Sequence, residues 1–255
     1  MSINESIKLK QAFAEKFSGL IWQMQIQEET GSLAIESRNI DTKKVLFSVL
    51  NYETGKIFFK EKAFAEPMNA NLAYLSEGTL LLKLNEHVES PESSGLISIE
   101  LKSAKILWEK YNVSIQQVTN YGIQIFDTKI SPRRFSWINH LNTSTLSEPS
   151  QISLNSNSII FPEINNEYSF PNFIEHGSIE GGVADLNIDG LRIICFHEKI
   201  ESKLQQKLLI YQNNKILHED ILISNIQKLQ PESFFILKKQ LFYIRNKDEI
   251  VSYFV

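Results

Sequence analysis

Glu36 and Arg38 stand two residues apart in Ala34-Ile35-Glu36-Ser37-Arg38. On an extended strand, residues at that spacing share a face. A carboxylate beside a guanidinium suits a polar ligand, although the same pair on an open surface is an ion pair worth little. His176 lies in Glu175-His176-Gly177, inside the stretch richest in Ser, Asn, Pro and Gly, and loops carry binding chemistry disproportionately. Glu36, Arg38, Glu175 and His176 are therefore the expected ligand-binding residues.

Nothing comparable selects a catalytic residue. Asp127, Glu180, Asp185, Asp189 and Glu198 are further acids, but no spacing singles out a partner for Glu36. His87, His140, His197 and His218 are scattered, without the H-x-H or H-E-x-x-H spacing that lets ligands converge on a metal, and no metal site is expected. His197 alternates with Ile193 and Cys195 as a packed strand residue would. The single cysteine, Cys195, sits in the apolar run Ile193-Ile194-Cys195-Phe196, where a thiol is inert. There is no G-x-S-x-G, and Gly55 and Gly181-Gly182 stand outside any phosphate-binding or dinucleotide fingerprint. Arg133-Arg134-Phe135 with Trp137 could stack a base or ring, but its simpler reading is a solvated turn leading into a core strand.

Composition narrows the partners. The 255 residues hold 26 Lys and Arg against 30 Asp and Glu, a formal net charge of −4. That balance gives no basic footprint for nucleic acid. One cysteine excludes an intramolecular disulfide. No run approaches the roughly 20 apolar residues of a membrane helix, and residues 1–10 lack the apolar core of a secretory signal. The expectation is a cytoplasmic monomer whose partner is a protein or a small polar ligand, not nucleic acid or membrane, with no cofactor.

The elements that must position these residues read as β almost throughout. Isoleucine occurs 33 times and alanine 9 times, a bias toward β-branched residues that favours strands over helices. Short apolar or alternating runs at 20–26, 33–37, 45–50, 57–59, 71–75, 79–84, 96–101 and 106–108 are separated by turn residues, and the pattern continues to the C-terminus. Residues 4–17 fit helix and strand equally well. Residues 172–184 are irregular, and 142–187 reads as a long loop or insertion. No abrupt change of composition divides the chain, so residues 1–255 read as one domain.

Two stretches repeat. Residues 48–59, SVLNYETGKIFF, match 97–108, ISIELKSAKILW, at an offset of 49, and 209–218, LIYQNNKILH, is a looser third copy. Each copy reads as a hairpin: a strand, a turn built on small residues that tolerate positive φ, and a second strand that opens on Lys and closes on a ring (Phe59, Trp108 or His218). A period near 40–50 residues suggests propeller blades. The motif resembles the outer hairpin of quinoprotein-type β-propeller blades, and the chain resembles an uncharacterised family of similar length with no assigned activity. Quinone-binding members carry a regular set of tryptophans; here there are three, so the resemblance implies the architecture and no quinone. Counting strands gives a five-bladed propeller, with the segment near residues 7–17 completing the last blade. A six-bladed ring and a pair of β-sandwiches are the alternatives. The expected function is a non-enzymatic interaction scaffold or small-ligand-binding module. The alternative is a glycoside hydrolase-like propeller enzyme acting on a carbohydrate or other polar substrate at the central channel, where glycoside hydrolysis needs two carboxyl groups flanking the scissile bond.

Overall fold

The computed structural model describes residues 9–64, 69–85, 93–150, 158–231 and 233–255. Among them there is no helix, and twenty-two strands form five antiparallel sheets of four or five strands. The chain divides into two compact units: residues 17–157, here the middle unit, and 1–16 with 158–255, the end unit.

The end unit begins with β1 (Lys10–Lys16). The middle unit then follows in three sheets of sequential strands. The first holds β2 (Leu20–Gln27), β3 (Ser32–Asn39), β4 (Lys44–Asn51) and β5 (Ile57–Lys62). The second holds β6 (Ala70–Leu75), β7 (Thr79–Asn85), β8 (Ser93–Glu100) and β9 (Ile106–Tyr111), and the third β10 (Val113–Val118), β11 (Ile123–Asp127), β12 (Phe135–Ile138) and β13 (Thr145–Leu146). The sheets stack through alternate residues of their central strands. Leu80 and Leu82 of β7 pack with Ala34, Phe47 and Val49 of the first sheet, whereas Leu81, one residue out of phase, packs with Val113, Ile123 and Ile125 of the third. A strand buried on both faces must be apolar at consecutive positions, and Leu80-Leu81-Leu82 is. Truncating any of the three to Ala would cost about 2–5 kcal/mol.

The end unit resumes with β14 (Ile159–Ile160), β15 (Glu163–Asn165), β16 (Ser178–Ile188), β17 (Leu191–Ile200), β18 (Lys203–Gln212) and β19 (Lys215–Ile226). It closes with β20 (Phe234–Leu237), β21 (Gln240–Arg245) and β22 (Glu249–Phe254). Strands β15 to β19 form one sheet in sequence order; the other runs β1-β22-β21-β20-β14. The two sheets pack through Ile193, Cys195, Leu208 and Ile210 against Phe234, Ile236, Leu241 and Val251. Residues 10–16 thus resolve the helix-or-strand ambiguity as a strand, and β1 pairs antiparallel with the C-terminal β22, Lys10 opposite Phe254 and Lys16 opposite Glu249.

The repeat is visible atom by atom. Asn51 N donates to Lys56 O at 2.8 Å and Gly55 N to Asn51 O at 2.8 Å; 49 residues on, Glu100 N donates to Lys105 O and Ala104 N to Glu100 O, both at 2.9 Å. Gly55 has φ +70° and Ala104 φ +53°, so the small-residue slot is a left-handed position. The third copy turns more tightly: Gln212 faces Lys215 across Asn213 and Asn214, both at positive φ. The closing rings do pack between neighbouring sheets. Phe59 joins the core shared by the first two sheets and Trp108 that of the second and third; His218 lies 4.5 Å from the Tyr253 ring of the next sheet in the end unit.

The stretch 142–187 holds more strand than its composition suggests. β13, β14 and β15 are two or three residues long, too short for periodicity to show. β16 is eleven residues long, but its register breaks between Glu180 and Ala184, around Gly181-Gly182. The glycines fall in a stretch that reads as irregular in the sequence, and in the sheet they mark an interruption of the register.

Candidate functional site

Glu36 is fully buried. It accepts from Arg38 Nε at 2.8 Å and from the backbone N of Leu72, in β6, at 2.7 Å. Arg38 also donates to Asn71 Oδ1 at 2.7 Å and lies 4.2 Å from the centre of the Trp22 ring. The strand spacing does bring Glu36 and Arg38 together, and the pair ties the first sheet of the middle unit to the second. Both carboxylate oxygens are occupied by this tie.

The other acids do not gather. Asp127 Oδ1 accepts from Lys129 N in its own turn. Asp185 holds Arg192 through two bonds, at 2.9 and 2.5 Å, which keep the guanidinium charged. Glu198, buried, accepts from Gly177 N at 2.8 Å and Gln205 Nε2 at 2.9 Å, with Lys207 Nζ at 3.6 Å. Among the described residues, no three His, Cys, Asp or Glu side chains come together as a metal site would require.

Three histidines are structural in their contacts. His140 Nε2 meets Thr119 O at 2.8 Å, and its own carbonyl accepts from Trp108 Nε1 at 2.8 Å. His197 Nε2 accepts from Gln230 N at 3.0 Å. His218 Nε2 reaches Tyr243 Oη at 3.3 Å. Burial lowers the pKa of all three. His87 lies outside the described residues. The Cys195 thiol is buried and its pKa is raised by that burial. The Arg133–Trp137 cluster is split: Arg133 sits 4.3 Å over Phe126, whereas Trp137 is buried against Tyr121.

His176 has a different setting. Residues 166–177 cross one face of the β15–β19 sheet, where Tyr168, Phe170, Phe173 and Ile174 cover Ile194, Phe196, Leu209 and Tyr211. Apolar residues on that face of β17 and β18 need a cover, and this segment supplies it. Its start is fixed by Asn165 Oδ1, which accepts from Glu167 N at 2.9 Å, and its end by the Gly177–Glu198 bond. Tyr168 Oη and Tyr211 Oη share a hydrogen bond of 2.7 Å, and Arg192 lies 5.2 Å from the Tyr168 ring. Burial, then the Tyr211 bond, raises the Tyr168 hydroxyl pKa and keeps it protonated.

Between this segment and β16 lies an open cleft of about 470 Å³. Asn166, Tyr168, Ser169, Phe170 and His176 line one side, and Ile179, Gly181 and Val183 the other. The Phe170 ring makes edge-to-face pairs with Tyr168 at 4.9 Å and Phe196 at 5.0 Å, and the His176 ring lies tilted against it at 4.3 Å. A Cβ on Gly182 would come within 2.7 Å of Asn166 Oδ1; glycine lets the amide lie against the interrupted strand. The His176 Nδ1 is 2.8 Å from Gly177 O. A carbonyl only accepts, so Nδ1 carries the proton, and in the neutral ring Nε2 is an acceptor. Glu175 is exposed beside the cleft and is not part of its lining. Of the four expected binding residues, the structure therefore joins Glu36 with Arg38 in the middle unit and sets His176 in a cleft of the end unit. Tyr168, Phe170, Asn166 and Ser169 escaped sequence reasoning; the aromatic spacing in Tyr168-Ser169-Phe170-Pro171-Asn172-Phe173 was the available signal.

A second, smaller hollow of about 300 Å³ lies in the middle unit, lined by Gln23, Leu72, Lys83, Ser114, Ile115 and neighbours. Lys83 is the charged residue in that lining, and no carboxylate joins it.

The fold defines an all-β protein of stacked antiparallel sheets. The family model for a domain of unknown function, DUF4905, matches residues 26–108, from the end of β2 into β9, which accords with the likeness to an uncharacterised family. No curated protein matches the sequence. Among solved structures, the crystal structure of BBS1N in complex with ARL6DN is similar over 96% of this chain and 96% of that one, at 8% identity and a TM-score of 0.22. A superposition that loose fixes neither fold nor partner. Among the described residues, no helix is long and apolar enough to cross a membrane.

Proposed function

We propose that the five sheets are blades of a single β-propeller, with β1 completing the last blade, and that the protein is a non-enzymatic module holding a small polar ligand in the cleft beside Phe170 and His176. In this reading it is a cytoplasmic monomer. The blade reading is supported by the hairpin repeat and by the pairing of β1 with β22. The binding reading is carried by the cleft itself, an open hollow of the size usual for small molecules, lined by the rings of Tyr168, Phe170 and His176 and by the polar side chains of Asn166 and Ser169. The cleft lining contains no carboxyl group, so a pair of acids flanking a glycosidic bond has no counterpart in this cleft.

The test is a screen of small polar compounds against the full chain by NMR, following the imidazole signal that disappears in His176→Gln. Binders are expected to move that signal and leave those of His140 and His218 in place. If no compound moves it, or if all histidine signals move together, the cleft is not a binding site.

A further inference from the structure

We propose that the ligand of this cleft is a neutral sugar, its ring laid against the Phe170–His176 pair and its hydroxyls shared among Asn166, Ser169 and His176. The inference rests on the binding-module reading and deepens it by naming the ligand class.

The argument begins with charge. The lining contains no Asp, Glu, Lys or Arg. Of the ions nearby, Arg192 is bound to Asp185 and Glu198 to Gly177 N and Gln205, and Glu167, Glu175 and Glu180 are exposed and outside the lining. A charged ligand would lose water on entering and meet no opposite charge in the lining itself, which is unfavourable. The ligand is therefore neutral.

The polar groups of the segment fall into two sets. Asn165 Oδ1, Tyr168 Oη and His176 Nδ1 hold the segment in shape. Asn166, Ser169 and His176 Nε2 make no hydrogen bond among the described residues, and all three residues line the cleft. Together they offer an amide that both donates and accepts, a hydroxyl that does the same, and a ring nitrogen that accepts. Such a set recognises hydroxyl groups, which need donors and acceptors in alternation.

The third feature is the fixed ring. Tyr168 and Phe196 each pack edge-to-face with Phe170, so the ring is held before any ligand arrives and little side-chain entropy is lost on binding. An aromatic face carries partial negative charge and attracts the polarised C–H bonds on one face of a pyranose. A molecule with an apolar C–H face and a rim of hydroxyls is a sugar. The cleft is open to solvent on one side, which suits a terminal residue of a longer glycan as well as a free monosaccharide.

The full chain is titrated with glucose, galactose, N-acetylglucosamine and maltose, and with glucuronic acid and glucosamine as charged counterparts, in saturation-transfer-difference NMR. At least one neutral sugar is expected to show saturation transfer to its ring C–H protons and to move the His176 signal. The charged counterparts are expected to bind about tenfold more weakly. Asn166→Ala and Ser169→Ala, on exposed side chains that make no hydrogen bond among the described residues, are each expected to weaken binding by several-fold up to about tenfold while leaving the melting temperature unchanged. Equal binding of charged and neutral sugars overturns the neutral-ligand argument. Silence from every sugar, with a nucleoside or an amino-acid amide moving the His176 signal, overturns the sugar assignment and leaves the cleft standing. Silence from every probe overturns both.

Discussion

The Glu36–Arg38 cluster of the middle unit and the His176 cleft of the end unit are both polar groups set among aromatic rings, yet they are built for opposite ends. At Glu36 the carboxylate is fully buried and both oxygens are taken, by Arg38 and by Leu72 N. At the cleft, Asn166, Ser169 and His176 line an open hollow, and their side-chain amide, hydroxyl and Nε2 make no hydrogen bond among the described residues. The first arrangement is complete without a ligand and the second is not. A conspicuous charge pair in a sequence can therefore be a tie between sheets, while a binding surface can form from residues with no charge.

Removing the tie should have the largest effect. Glu36→Ala leaves the Arg38 guanidinium, 17% exposed, without its carboxylate, and leaves the buried Leu72 N–H without an acceptor. The expected loss is about 3–5 kcal/mol, read as a shift of the urea midpoint. A loss under about 1 kcal/mol would show that the pair is dispensable to the fold and would reopen it as a binding site.

Glu198→Ala sharpens the comparison, because Glu198 serves both ends. It is buried like Glu36, but Lys207 keeps a second partner, Glu219, at 2.7 Å. The expected loss is smaller, about 2–3 kcal/mol. Because Gly177 N loses its acceptor, the segment carrying His176 should loosen as well. Hydrogen exchange at residues 168–177 should rise in this variant and stay unchanged in Glu36→Ala.

Acid should act on the buried histidines. Burial lowers the pKa of His140, His197 and His218 in the folded protein, whereas the unfolded chain titrates near 6.5. The folded state thus binds protons less readily. Stability is full above about pH 6.5 and falls as the pH drops toward the folded-state values. Each unit of lowering is worth about 1.4 kcal/mol once the group is protonated. Melting at pH 5 should occur below that at pH 7.5, and His197→Gln should narrow the gap. Equal melting temperatures would show that these rings titrate as they do in water.

The legibility of the molecule follows from which features are local. The hairpins at 51–56 and 100–105 could be read because their turn chemistry lies within six residues, and the structure repeats it bond for bond. The strand at residues 10–16 was ambiguous because its pairing partner, β22, lies at the other end of the chain. Spacing put Glu36 and Arg38 on one face but could not give their depth, since burial depends on β6 arriving with Leu72. The cleft was least legible. The cover formed by Tyr168, Phe170 and Phe173 follows no period, and the register break at Gly181-Gly182 disguises the strand beneath it.

His176→Gln should have the smallest effect on stability and is the sharpest separation of the two regions. The His176 ring is exposed, and its fold contacts are one bond to Gly177 O and the approach to Phe170. An exposed side chain with so few contacts contributes within about 0.5 kcal/mol, so the melting temperature should match the parent. Glutamine offers an amide where the ring offered a flat face and an accepting nitrogen, so ligand response at the cleft should fall sharply without any change in the fold. Glu36→Ala should do the reverse: it lowers the melting temperature, and the protein that remains folded still binds. Should His176→Gln instead lower the melting temperature by several degrees, the ring would be a structural member like His197, and the cleft would be a by-product of how the 166–177 segment covers its sheet.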